Sequence, residues 1–125
     1  MERENDSSAF VHRLMKAWND RNISEMMEML TEDCVFEPSF GAHPYGDRYS
    51  GKAEVQRGAE NNFRDIPDIA WETKSSFATD QHAVIEWHCT GTPVNGQRFA
   101  VDGCDVLTLR DGRISAKHSY RKSRL

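Results

Sequence analysis

With 125 residues, 38% of them hydrophobic and 29% charged, the chain is long enough for one domain around one substantial core and too apolar to stay disordered. A formal net charge of −4 provides no basic surplus for a nucleic-acid surface. No apolar run nears the roughly 20 residues of a membrane-spanning helix.

The first ten residues, MERENDSSAF, are charged and lack the apolar stretch of a signal peptide. A cytoplasmic location with no membrane contact is therefore expected. Ser7 or Ser8 can cap a first helix that sets Val11, Leu14, Met15 and Trp18 on one face at helical spacing and stops near Asn22. Ser24 can cap a short second helix through EMMEML, and CVFEP then reads as a brief strand ended by Pro38. Residues 39–51, SFGAHPYGDRYSG, are too rich in glycine for regular structure. Their three aromatics, Phe40, Tyr45 and Tyr49, favour a loop lying over a cavity rather than a plain surface turn.

KAEVQRGAENNFRDI reads as a third helix closed by Pro67, with Ala53, Val55, Ala59 and Phe63 available for packing. From Ile69 onward the pattern becomes β, with strands near 69–77, 82–92, 97–109 and 114–122. Asn95-Gly96 and Asp111-Gly112 both favour two-residue hairpin turns that need φ > 0. Helices followed by an antiparallel meander predict an α+β fold, a twisted sheet wrapped around helices. No repeat or linker interrupts the chain, so residues 1–125 form one expected domain.

Cys34, Cys89 and Cys104 are odd in number and have no C-x-x-C spacing, which speaks against a disulfide framework and a thiolate metal site. The five histidines show no close ligand spacing either. Neither metal nor cofactor is expected. The basic tail KHSYRKSRL reads as a solvated terminus rather than a phosphate track.

The last hairpin, GCDVLTLRDGRISAKHSYRK, carries the chemistry. A two-residue turn at Asp111-Gly112 sets Leu109 opposite Ile114, Leu107 opposite Ala116 and Asp105 opposite His118. Directly opposed Cβ atoms lie roughly 4.5–5.5 Å apart, within reach of a carboxylate–imidazole contact. An acid and a base on an apolar face are either a satisfied internal ion pair or a proton-transfer pair facing a cavity. The preceding strand has two registers. A tight Asn95-Gly96 turn points Glu86 and His88 inward; a single bulge points Ile85 and Trp87 inward instead.

The strings AWNDRNISEMMEMLTEDCVFEP, YSGKAEVQRG, IEWHCTGT and GCDVLTLRDGRISAKHSYRK, in this order and spacing, resemble the SnoaL-like, polyketide cyclase-like branch of the nuclear transport factor 2-like superfamily. The resemblance implies a cystatin-like, cone-shaped α+β barrel: three N-terminal helices packed in a strongly curved, mainly antiparallel sheet around an apolar pocket. Members include polyketide cyclases, ketosteroid isomerases, scytalone dehydratases, limonene-epoxide hydrolases and non-enzymatic domains, and many dimerise through the outer sheet face. Asp105 is similar in role to the cyclases' acid/base Asp. Asp105, His118 and Tyr120, or a loop tyrosine, could echo the dehydratases' set, although the full motif set of neither enzyme is present.

Two hypotheses follow. In the first, a cofactor-independent isomerase, cyclase or dehydratase acts on a small hydrophobic, oxygenated molecule. Asp105, His118 and Tyr120 are then catalytic, and Trp18, Phe36, Phe40, Tyr45, Tyr49, Glu86, His88 and Leu107 line the substrate site. In the second, a non-catalytic domain uses the pocket only to bind. A homodimer is the expected assembly under either.

Overall fold

The computed structural model describes residues 2–123, with side chains from residue 9 onward. The helices are α1 (Glu2–Asn19), α2 (Ile23–Glu28) and α3 (Lys52–Asp65). The strands are β1 (Leu30–Glu37), β2 (Tyr49–Ser50), β3 (Ala70–Ala78), β4 (His82–Gly91), β5 (Phe99–Arg110) and β6 (Arg113–Arg121).

Helix α1 begins upstream of the serines expected to cap it. Glu2, Arg3 and Glu4 are good helix formers, and the helix runs back through them. Val11, Leu14 and Met15 form its buried stripe. After Asn19 the chain turns through Arg21 at φ 55°. The Arg21 guanidinium donates to the carbonyls of Asn19 (2.7 Å), Pro67 (2.7 Å) and Ile69 (2.8 Å), tying this corner to the approach to β3. Helix α2 is capped by Asn22 rather than Ser24: the Asn22 side chain accepts from the Glu25 N–H at 3.1 Å.

The six strands form one sheet in the order β2-β1-β6-β5-β4-β3, with β1 and β6 parallel and the other neighbours antiparallel. This is the mainly antiparallel α+β architecture expected. The Asn19 side chain mimics a strand against the edge at Trp71, donating to its carbonyl and accepting from its N–H, both at 2.9 Å. Asp111 (φ 53°) and Gly112 (φ 77°) make the two-residue turn that joins β5 to β6.

One register left open by the sequence is decided in favour of Ile85 and Trp87 over Glu86 and His88, and a second is corrected. Asn95-Gly96 does not make a two-residue hairpin; Gly96 N–H closes a turn on the Pro93 carbonyl within the loop 92–98. Ile85 then pairs with Asp105 and Trp87 with Gly103, so Ile85 and Trp87 face the core. In the β5–β6 hairpin Leu109 does oppose Ile114, but a bulge at Ser115 follows, pinned by its hydroxyl donating to the Thr108 carbonyl at 3.2 Å. Beyond it Leu107 opposes Lys117, Asp105 opposes Ser119 and Gly103 opposes Arg121. One extra residue exchanges the two faces of the rest of β6.

The core between helices and sheet is built on Met29, Leu30, Ile85, Leu107 and Ile114, all nearly inaccessible. Burial of each contributes about 1.5–3 kcal/mol. No described helix is long and apolar enough to cross a membrane.

Candidate functional site

Cross-strand rows set the inner face of the sheet in layers. Ala83, Leu107 and Lys117 form the deepest, with Phe36 of β1 beside Lys117. Ile85, Asp105 and Ser119 form the next, then Trp87, Gly103 and Arg121. A cavity of about 190 Å³ opens between these rows and helices α1 and α3. An apolar cavity of about 150 Å³ in a protein holds benzene, so this one suits a molecule about one ring in size. Glycine at 103 is a packing requirement: a Cβ there would meet Trp87 Cη2 at 2.4 Å.

Asp105 is 7% exposed and lines the cavity wall. Its Oδ1 accepts from the Ser119 hydroxyl at 2.7 Å, and its Oδ2 lies 3.8 Å from Lys117 Nζ. That ammonium sits 4.1 Å from the centroid of the Trp18 ring and 5.0 Å from that of Phe36. Stacking of Trp18 on Phe36 (centroids 6.1 Å apart) fixes this aromatic box. The result is a fixed carboxyl beside a cation held by π faces, both at the wall of an apolar space.

The structure separates the expected trio. Asp105 faces the cavity, whereas the bulge turns His118 and Tyr120 to the outer face, opposite Val106 and Cys104. His118 pairs instead with Glu37, its register partner on β1, at 2.7 Å from Nδ1 to Oε1. Tyr120 is 59% exposed. Glu86 and His88 also face outward, bonded to the Ser75 hydroxyl (2.5 Å) and to Asp102 (2.8 Å). Trp18, Phe36, Phe40 and Tyr49 do line the cavity. Tyr45 does not; its ring lies between His43 (5.0 Å) and the Arg48 guanidinium (3.8 Å). Leu107 is sealed beneath the cavity as core.

Lys117, Ser119 and Arg121 were missed because the regular hairpin register hides all three behind the sheet. The signal that could have found them is the same bulge allowance that kept Ile85 and Trp87 open as inward residues.

Glu37 fastens the glycine-rich loop. Its Oε2 accepts from Arg48 Nε (2.8 Å) and Nη2 (2.7 Å), while Oε1 engages His118. Burial pushes this carboxyl up, but the hydrogen bonds from Arg48 and His118 together outweigh it and hold the group below its ordinary value. On β4, burial pushes the Cys89 thiol up to about 11, with the Arg121 charge opposing and that of Asp105 assisting.

A family profile described as a SnoaL-like domain matches residues 11–117. No curated protein matches the chain. Among solved structures, a nuclear transport factor 2-like protein of unknown function from Burkholderia pseudomallei K96243 superposes with a TM-score of 0.82 at 18% identity, covering 94% of this chain and 91% of that one. A hypothetical protein with a ketosteroid isomerase-like fold from Catenulispora acidiphila DSM 44928, in complex with trimethylamine, gives 0.77 at 18% identity over 89% and 83%. A candidate polyketide cyclase from Xanthomonas campestris pv. campestris gives 0.75 at 19% identity over 94% and 91%. At these identities the likeness is one of fold.

Proposed function

The chain belongs to the SnoaL-like domain family, and on that premise we propose that it is a cofactor-independent enzyme moving a proton on a small oxygenated molecule, as an isomerase, cyclase or dehydratase does. One observation carries the reading: the Asp105 carboxyl, oriented by Ser119 and 3.8 Å from the Lys117 ammonium, at the wall of a ring-sized aromatic cavity. Asp105 takes a proton from the carbon next to a substrate carbonyl. The C–H electron pair moves onto the carbonyl oxygen as an enolate, and Lys117 stabilises the charge that develops there. Return of the proton from Asp105 to another carbon completes an isomerisation; attack of the enolate carbon on an internal carbonyl breaks that carbonyl's π bond, and transfer of the proton from Asp105 to the resulting alkoxide completes a cyclisation. Tyr49, at the start of β2, reaches the cavity and can orient the ligand.

The test is deuterium uptake next to the carbonyl of single-ring ketones in D2O, followed by NMR. Wild-type protein accelerates exchange, and Asp105→Asn abolishes it while ligand-induced quenching of tryptophan fluorescence survives. Quenching by both proteins with no exchange by either would leave a non-catalytic binding domain.

We also propose a homodimer formed through the outer sheet face. There Phe77, Val84 and Val106 lie in one cross-strand row, beside Cys104 and Tyr120 in the next. Sedimentation equilibrium should give a dimer that Val106→Arg converts to monomer. A cytoplasmic setting, which keeps thiols reduced, suits the three free cysteines.

A further inference from the structure

We infer that the cavity takes an organic anion: a compact carbonyl compound whose carboxylate is held by Arg121 while its carbonyl oxygen faces Lys117. This rests on the proton-transfer reading of the same cavity and adds the class of substrate.

The first ground is the division of the walls. Along β6 the inward residues are Lys117, Ser119 and Arg121, polar at every step, whereas β4 contributes Trp87 and Cys89. A ligand filling the space must present oxygen functions along one edge and hydrocarbon along the other.

The second ground is charge. The Lys117 ammonium has Asp105 beside it. Glu37, the other acid lining the cavity, is occupied by Arg48 and His118. Arg121 has no hydrogen bond or ion pair among the described residues, yet it lines the cavity, and its charge opposes the upward push of burial on the Cys89 thiol two strands away on β4. The acids lining the cavity are already committed, so this exposed cation at the cavity wall is free to meet an anion that enters. A guanidinium matches a carboxylate through two parallel hydrogen bonds.

The third ground is shape. Arg121 shares its row with Gly103, whose missing Cβ lets the Trp87 indole lie across the strand as an aromatic floor. Lys117 and Arg121 are four residues apart on one strand, roughly 13 Å along the backbone. Both residues line the same cavity, and that backbone spacing leaves room for a ring between them. Phe40, 64% exposed, lines the open end where the carboxylate would enter.

All three tryptophans of the chain, Trp18, Trp71 and Trp87, line the cavity, so intrinsic fluorescence reports occupancy directly. The probes are benzoate and its neutral isostere benzamide. Wild-type protein should bind benzoate at least tenfold more tightly than benzamide. Arg121→Gln, a change at an exposed residue, should bring the ratio to within twofold, the larger loss falling on benzoate, with an unchanged urea midpoint showing that the fold is kept. Equal affinities in the wild type, or a preference that survives Arg121→Gln in full, overturn the inference. Failure of both probes to bind overturns the cavity reading and this inference with it. A benzoate preference that Arg121→Gln removes, without deuterium uptake into any ketone, upholds the anion site and overturns the proton-transfer reading alone.

Discussion

Lys117 and Asp105 stand on neighbouring strands one row apart, with Nζ 3.8 Å from Oδ2, and the same ammonium lies over the Trp18 ring at 4.1 Å. The cation is thus held from two sides, by a carboxyl and by a π face, without a close hydrogen bond to either. That looseness suits a group meant to meet a substrate oxygen rather than to close a structural ion pair.

Lys117→Met separates the two roles. Methionine keeps the aliphatic stem and substitutes a sulfur–aromatic contact of about 0.3–1.5 kcal/mol for a cation–π contact of about 0.5–2 kcal/mol. Stability in urea should therefore change by less than about 1.5 kcal/mol. Deuterium uptake into ketones should fall by roughly a hundredfold, the scale for loss of an oxyanion-stabilising donor. A large loss of stability with exchange intact would make the ammonium structural.

Glu37 gives the fold an acid-side weakness with a defined sign. Its carboxyl titrates below its ordinary value of 4.5 in the folded protein. The unfolded chain therefore takes up this proton first as pH falls. The contribution is complete above about pH 5 and is lost as pH drops through the lowered folded value. Urea midpoints measured from pH 7 to pH 3 should fall with a slope that Glu37→Gln flattens. Below pH 4 amide exchange in residues 39–48 should also quicken, because Arg48 loses its partner. An unchanged slope in Glu37→Gln would show that the latch does not contribute.

The cysteines should be quiet. Burial raises Cys34 and Cys104 and pushes Cys89 up to about 11, so roughly one Cys89 in a thousand is thiolate at pH 8. Native protein should react with a disulfide reagent over hours, and guanidinium-unfolded protein should show three fast thiols. A rapidly labelled native cysteine would contradict the packing described for the β4 wall or the outer face.

Gly103→Ala tests the indole floor. The added methyl carbon would lie 2.3 Å from the Tyr120 carbonyl oxygen and 2.4 Å from Trp87 Cη2, and neither backbone nor a buried ring yields easily. Destabilisation of about 1–3 kcal/mol, with a shifted tryptophan emission maximum, is expected in denaturant titrations monitored by fluorescence. A neutral substitution would mean that the ring has room to move.

Much of this fold is legible because its signals are local. The stripe of Val11, Leu14 and Met15, the Asp111-Gly112 turn and the switch from helical to alternating pattern at Ile69 each depend on neighbours in sequence. The site is less legible because it depends on parity. A regular strand from Ile114 would deliver His118 and Tyr120 to the cavity, and the extra residue at Ser115 delivers Lys117, Ser119 and Arg121 instead. What favours the bulge is tertiary: Ile114 is sealed in the core beside Leu30 of β1, and Lys117 finds the rings of Trp18 and Phe36. No pattern within RISAKHSYR announces either. The Asn22 cap was missed for a smaller reason, since Ser24 is an equally good capping residue by type and only the path of the chain after Arg21 decides between them.

The bulge at Ser115 also governs how this chain can be compared with its kin. Removing that residue would straighten β6 and leave Lys117, Ser119 and Arg121 pointing inward, so a deletion there is the conservative event. A relative of equal length that lacks the bulge would present to its own cavity the residues aligned with His118 and Tyr120. Column-by-column alignment across the two would set one protein's pocket wall against the other's outer surface. Divergence along this strand is therefore a matter of counting as much as of substitution, and a lineage can exchange an entire cavity-lining face without replacing a single side chain.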